Sequence, residues 1–239
     1  MTKLKRTKDR KVANLVSPSG KTVSIASTFG LPSGKRFSCP GATSVCELIC
    51  YAGKIETQYK AVRDLLLHNW DLLRNADLDE MRRLLTEMID DFIKDCDRRD
   101  APKDFRIHWD GDFFSDDYTM AWKMTMESRP DVRFWVYTRT ENSARILQGT
   151  ENLALYFSAD SANLPVALKL REEGIRLAYL ADTFQEGQAM LKEATGRPGA
   201  KCPENTGQIP LISAKGSACA VCQLCPKGQV DIVFSATKK

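Results

Sequence analysis

The apolar positions of the chain follow two periods. KTVSIAST, from Lys21 to Thr28, alternates apolar and polar residues and predicts a strand. A turn-rich stretch, FGLPSGKRFSCPGA, comes next. Two long helical patterns follow, ending near Arg74 and Arg98. Beyond Pro102 the order becomes regular. FRIHWDGDFF predicts a strand and DDYTMAWKMTMES a helix; RFWVYTRT a strand and ENSARILQG a short helix. LALYFSAD and NLPVALKLREEG form the third pair, and IRLAYLAD and FQEGQAMLKEATG the fourth. Short apolar strands alternating with helices predict βα units and a parallel sheet. Four units in succession favour an α/β fold built as a partial (β/α) barrel, with an open doubly wound sheet as the structural alternative. The rhythm stops near residue 200, after which QIPLIS and VDIVFSAT are the remaining strand candidates. The expected organisation is a basic N-terminal tail (1–20), the partial barrel (21–200) and a cysteine-rich, metal-binding C-terminal segment (201–239).

The predicted strands end in polar residues: His108, Asp110 and Asp112; Tyr137, Thr138 and Arg139; Ser158 and Asp160; and Asp182. In a parallel barrel these carboxyl ends converge on one mouth, where active sites are built. Ser115, Thr140 and Thr183 are better read as caps of the following helices. His108, Asp110, Arg139 and Asp160 are the candidate catalytic groups, because capping does not need so many charges. His108 could shuttle a proton or contact a ligand, and a satisfied core histidine is the equal alternative. Trp70, Trp122 and Trp135 read as packing, as do Met120, Met124 and Met126. His68, mid-helix, receives no role.

With 239 residues and 43% hydrophobic composition the chain can bury a core without disulfides. No apolar run approaches 18 residues, which excludes a transmembrane helix, and the basic start lacks the apolar stretch of a secretory signal. A cytoplasmic protein with no membrane partner is expected. The net charge of +4 is concentrated at the start: the first eleven residues carry +5, leaving −1 for the remainder. A solvated tail is the first reading, and the charge also permits a nucleic-acid partner.

A reducing compartment makes the eight cysteines candidates for metal rather than disulfides. Cys96, inside a helical pattern, reads as a packing residue. Cys202, Cys219, Cys222 and Cys225 supply four thiols, enough to complete a Zn²⁺ site or a [4Fe–4S] cluster. Their compact C-x2-C-x2-C run, followed by Pro226, leans towards iron–sulfur. Cys39, Cys46 and Cys50 supply only three, with no histidine nearby. Three thiolates on a [4Fe–4S] cluster leave one iron open to an outside ligand.

That trio resembles the radical S-adenosylmethionine (SAM) enzymes, whose three cysteines follow the first strand of a partial barrel. Their common spacing is C-x3-C-x2-C, against gaps of six and three residues here. The resemblance implies a [4Fe–4S] cluster on Cys39, Cys46 and Cys50, bound SAM, and an electron donor. It also implies Asp112 as the counterpart of the family's carboxylate for the SAM ammonium, with Tyr137, Ser158 and Asp182 as further cofactor contacts. CPGATSVCELICYA, RIHWDGDFFSDDYTMAW, FWVYT, LALYFSAD, KCPENTG and CAVCQLC are similar to the phage "gene product 88" family, which implies a mobile-element setting and no settled chemistry. Three readings follow. The first is a radical-SAM-type enzyme acting on an unknown substrate. The second is a zinc-containing base-exchange or glycosidic-bond enzyme on nucleic acid using Asp110, Asp112 and Asp160. The third is a non-catalytic protein stabilised by metal.

Overall fold

The computed structural model describes residues 3–237. A short antiparallel hairpin comes first, β1 (Asn14–Val16) with β2 (Thr22–Ser24), followed by β3 (Thr28–Gly30). The loop after β3 leads into α1 (Ser44–Ile49), α2 (Tyr51–Gln58), α3 (Lys60–Leu73) and α4 (Leu78–Arg99). Then come β4 (Asp104–Asp110), α5 (Asp116–Glu127), β5 (Arg133–Thr138), α6 (Glu141–Leu147), β6 (Leu153–Ala159), α7 (Leu164–Glu172), β7 (Arg176–Ala181) and α8 (Phe184–Thr195). The C-terminal part holds β8 (Ala200–Lys201), β9 (Ile212–Ser213), β10 (Gly216–Ser217), α9 (Ala218–Cys222), α10 (Leu224–Lys227) and β11 (Ile232–Ser235).

Local chemistry marks the boundaries. Asp77 caps α4 by accepting the Glu80 N–H at 2.9 Å, and Arg98 and Arg99 lie in the last turn, where the helix dipole favours cations. Thr183 and Glu186 form a reciprocal capping box on α8. Ser115 caps α5 as its sequence position predicts. Thr140 sits at the start of α6 but makes no capping bond; its hydroxyl donates to the Phe113 carbonyl at 3.2 Å.

Seven strands form one parallel sheet in the order β3-β4-β5-β6-β7-β11-β8. The fold is mixed α/β with a large parallel sheet, as the βα rhythm predicts. From β3 to β7 spatial order equals chain order, without the reversal that defines a doubly wound sheet. Alternation sorts the strand side chains into two layers. Phe105, Ile107, Phe134 and Val136 pack with Leu85, Phe92 and Trp122 of α4 and α5. Phe157, Leu177, Tyr179 and Val233 pack with Leu170 and Leu191 of α7 and α8. Trp135, Tyr156, Ala178 and Ile232 face the other way, against Val12, Cys225, Cys202 and Cys219. Helices therefore cover one face of the sheet, and the N-terminal arm with the cysteine-rich segment covers the opposite face.

Two expectations change. The basic N-terminus is not a solvated tail over its described residues. Leu4, Val12 and Ala13 are buried. Thr7 bridges Thr28 of β3, and three of the basic side chains pair within the molecule: Lys3 with Asp91, Arg6 with Asp95, Lys11 with Glu204. Burial of apolar side chains between the charges pulls the arm down. Nor is the C-terminal segment an appendage: β11 inserts between β7 and β8 of the main sheet. No helix among the described residues is long and apolar enough to cross a membrane.

Candidate functional site

The cysteine trio leaves the carboxyl end of β3. Leu31 N–H donates to the Asp110 carbonyl at 3.0 Å, so the loop starts in register with the end of β4. It then turns tightly: Cys39 N–H donates to the Gly34 carbonyl at 3.2 Å, and Ser38 Oγ to the Pro32 carbonyl at 2.8 Å. Thr43 caps α1 by accepting the Cys46 N–H at 3.0 Å, and the Cys50 sulfur caps α2 by accepting the Gly53 N–H at 3.4 Å. All three cysteines line one cavity of about 540 Å³ with Ser33, Gly34, Glu47, Leu48, Lys54, Thr57 and Gln58. Burial pushes the Cys39 and Cys46 thiols up; Asp112 adds to the shift at Cys39, whereas Arg139 opposes it at Cys46.

The strand ends hold this loop in place. Asp112 is 5% exposed, and its carboxylate accepts from Thr138 Oγ1 at 2.7 Å, Arg139 N at 2.8 Å and Phe113 N at 2.8 Å. Those bonds outweigh neither burial nor its cost entirely, and desolvation raises its carboxyl to about 6. Its own N–H donates to Ser38 Oγ at 3.2 Å. Arg139 Nη1 donates to Asp160 Oδ2 at 2.6 Å, and Thr43 Oγ1 donates to the same oxygen at 2.6 Å. Asp160 thus pins the cap of the Cys46 helix. Two glycines permit the close approach. A Cβ on Gly111, whose φ is +83°, would stand 2.4 Å from Ser38 Oγ; one on Gly41 would stand 2.4 Å from the Arg139 carbonyl oxygen.

The remaining strand-end candidates separate. His108 points away from the carboxylates, into Phe29, Phe113, Tyr118 and Trp122. Its Nε2 bonds to the Tyr118 hydroxyl at 2.9 Å, and burial pushes it down to about 3. A bulge at this point, with φ of 57° at His108, turns the side chain into the helix layer. Of the two alternatives it is the core histidine, although its buried Nδ1 has no partner. Asp110, 2% exposed, has neither carboxylate oxygen hydrogen-bonded, and burial followed by the nearby Glu56 raises it to about 9. Glu56 itself accepts from Ser33 N at 2.9 Å and from the Ser33 hydroxyl. Tyr137 lies on the opposite face of the sheet, with Arg106 at 5.5 Å from its ring. Ser158 is half-buried, and its carbonyl accepts from Asn163 Nδ2 at 3.1 Å. Asp182 is exposed, and its carbonyl accepts from the Ser235 and Thr237 hydroxyls. The structure therefore brings Asp112, Arg139 and Asp160 to the cysteine loop, and not His108, Tyr137 or Asp182. Ser33, Lys54, Thr57 and Gln58 escaped the sequence reading; the polar stretch K-x-x-T-Q of α2, just beyond Cys50, was the signal for the last three.

Cys202, Cys219, Cys222 and Cys225 line a second, small cavity of about 20 Å³. All eight cysteines are free thiols. Cys96 is buried in the core, its Sγ 3.6 Å from the Pro102 carbonyl, as a packing residue should be. Among the described residues no group of three or more His, Cys, Asp or Glu side chains is gathered as a formed metal centre.

A family model described as Gene product 88 matches residues 2–228. The chain belongs to the Gene product 88 family. The Gene 88 protein of Mycobacterium phage L5 is 53% identical over 244 residues, and that of Mycobacterium phage D29 is 52% identical over 245 residues. Both alignments cover 100% of this chain and 100% of the relative, so the cysteine loop and the C-terminal segment of this Gene product 88 protein belong to a full-length likeness. No solved structure matches the chain.

Proposed function

We propose that this protein is an iron–sulfur enzyme of the radical-SAM type, in which Cys39, Cys46 and Cys50 hold a [4Fe–4S] cluster whose fourth iron is open to SAM. One observation carries the reading: three thiols on the loop after the first strand of a chain-ordered parallel sheet share one cavity at the carboxyl edge of that sheet. The donor set suits an iron–sulfur cluster with a vacancy. The cavity, at about 540 Å³, is in the size range of small-molecule and cofactor sites. Loading requires the three side chains to draw together from their present positions along the cavity wall. A reduced cluster there supplies the one-electron cleavage of SAM.

The chain's own residues take other roles than the sequence implied. Asp112 is buried and already accepts three hydrogen bonds from Thr138, Arg139 and Phe113, so it fixes the loop, as do Arg139 and Asp160. Ser33, Glu47, Lys54, Thr57 and Gln58 supply the polar contacts for a second ligand, and Leu48, 79% exposed at the rim, an apolar one. The nucleic-acid base-modifying reading has less support, because Asp112 and Asp160 are buried and held by neighbours and Asp110 faces Glu56.

The test is anaerobic reconstitution with iron and sulfide. About four irons per chain should bind to the trio, with broad visible absorption, and disappear from a Cys46→Ala variant. SAM should then be consumed upon reduction. Failure of the wild type to take up iron at the trio under anoxic, reducing conditions sinks the proposal.

A further inference from the structure

The C-terminal cysteines differ from the trio in one decisive respect, the space they enclose. The cavity lined by Cys202, Cys219, Cys222 and Cys225 measures about 20 Å³, room for roughly one water-sized body. A cubane of eight iron and sulfide atoms needs several times that, and its room is not borrowed easily. The cavity floor is the sheet itself, through Ile232, which is fully buried, and its walls are Pro203, Ala218 and Leu224.

A buried guanidinium stands beside the same thiols. Arg106 projects from β4 onto this face, donates from Nη1 to Asp9 at 2.8 Å, and leaves its Nε–H buried without a partner. Its guanidinium lies 5.5 Å from the Tyr137 ring, and Tyr137 packs, with Cys202 and Cys219, against the buried cluster that contains Cys225. On the rim Lys11 is paired with Glu204 at 2.8 Å. Four thiolates around a divalent ion carry two net negative charges, which a buried site must offset. The orphaned Nε–H of Arg106 is a donor whose missing acceptor a loaded thiolate would supply.

We infer that Cys202, Cys219, Cys222 and Cys225 bind one divalent ion of zinc type as a closed four-thiolate site, and that Arg106 is its positioning and charge-balancing residue. Zinc suits the donor set because it takes four thiolates tetrahedrally at a single point, with no open position, and loading requires the four side chains to draw together. The proposal goes beyond the reading above and rests on nothing at the trio.

The experiment uses full-length protein in which Cys39, Cys46 and Cys50 are all serine, so the trio cannot contribute. Purified without added metal, it should carry about one zinc per chain and no acid-labile sulfide. Replacing zinc by Co²⁺ should give the intense d–d bands of tetrahedral thiolate coordination. In a competition with a chromophoric chelator, Arg106→Gln should hold zinc about 10–100-fold more weakly. Should Arg106→Gln fail to fold, titrating wild-type thiols with an organomercurial supplies the second measurement: zinc release should track modification of four thiols. Iron with stoichiometric sulfide in the triple variant overturns the inference. So does the absence of any tightly held metal, with the four C-terminal thiols freely reactive. Because the trio is absent from this variant, neither result bears on whether iron binds there.

Discussion

Replacing Asp110 by Asn should stabilise the protein at neutral pH and remove a pH dependence. The wild-type carboxyl is 2% exposed, has no hydrogen-bond partner and faces Glu56. In the unfolded chain it ionises near its ordinary value of about 4. In the fold, burial first and Glu56 second hold it protonated to about 9. Folding at neutral pH therefore takes up a proton. The stabilisation tied to the neutral carboxyl is complete below about pH 4 and is lost as pH rises towards 9, by up to about 1.4 kcal/mol per pH unit. At pH 7 the accumulated cost approaches about 4 kcal/mol. Asn carries no such cost, but its amide N–H groups need partners in a site that offers chiefly Glu56; leaving one unmet costs about 1–2 kcal/mol. The net expectation is a gain of about 2 kcal/mol at pH 7, or roughly 4–8 °C in Tm for a chain of this length.

Urea titrations of wild type and Asp110→Asn at pH 5, 6, 7 and 8 decide the matter. Subtracting one curve from the other cancels the titrating groups that do not interact with Asp110, so the difference reports Asp110 together with its coupling to Glu56. The variant's advantage should widen steadily with pH. Two parallel lines would show that Asp110 ionises normally in the fold, and the reasoning from burial would be refuted.

Gly111→Ala should cost about 3 kcal/mol or more, since a left-handed φ of +83° and a Cβ 2.4 Å from Ser38 Oγ penalise it together. Denaturant melts measure the loss, and a variant within 0.5 kcal/mol of wild type would show that the loop does not press on this turn (a threshold of roughly the surface-substitution range). Arg139→Ala should cost about 3–5 kcal/mol by leaving the buried Asp160 carboxylate without its cation. It should also speed the reaction of Cys46 with a thiol reagent, because Thr43 loses the fixed Asp160 that holds its cap; unchanged thiol kinetics would mean that α1 is held by other contacts.

The regular βα segment was legible because each strand buries one face and each helix one stripe, and local pattern records both. What escaped depends on partners distant in the chain. The order β7-β11-β8 is a choice among sheet edges that VDIVFSAT does not encode. The N-terminal arm looked solvated from its charges, yet Leu4, Val12 and Ala13 between those charges were the readable sign of burial. At the site, the sequence located Asp112, Arg139 and Asp160 beside the cysteine loop but not their purpose. A carboxylate next to a glycine looks the same whether its lone pairs are free for a ligand or taken by its neighbours' N–H groups. His108 was left between its two readings for a simpler reason. Period-two alternation assumes an unbroken strand, and a bulge with φ of 57° rotates the side chain into the helix layer.

The two cysteine sets are joined by backbone as well as by β4. Cys219 N–H donates to the Lys11 carbonyl at 2.9 Å, and Ser217 Oγ to the Arg10 carbonyl at 2.7 Å, so the segment bearing the four thiols grips the N-terminal arm. The same arm returns to β3 through Thr7, whose N–H donates to the Thr28 carbonyl at 2.7 Å. Thr28 in turn donates from Oγ1 to the carbonyl of Arg106 at 2.8 Å, the residue whose guanidinium lies over the Tyr137 ring. β3 is the strand from which the three-cysteine loop emerges, and β4 ends in the Asp110-Gly111-Asp112 turn that supports it. An ion closing the four-thiol site would therefore tighten the arm, β3 and β4 at once. A metal bound at the four thiols as proposed would thus steady the two strands that carry the three-cysteine loop.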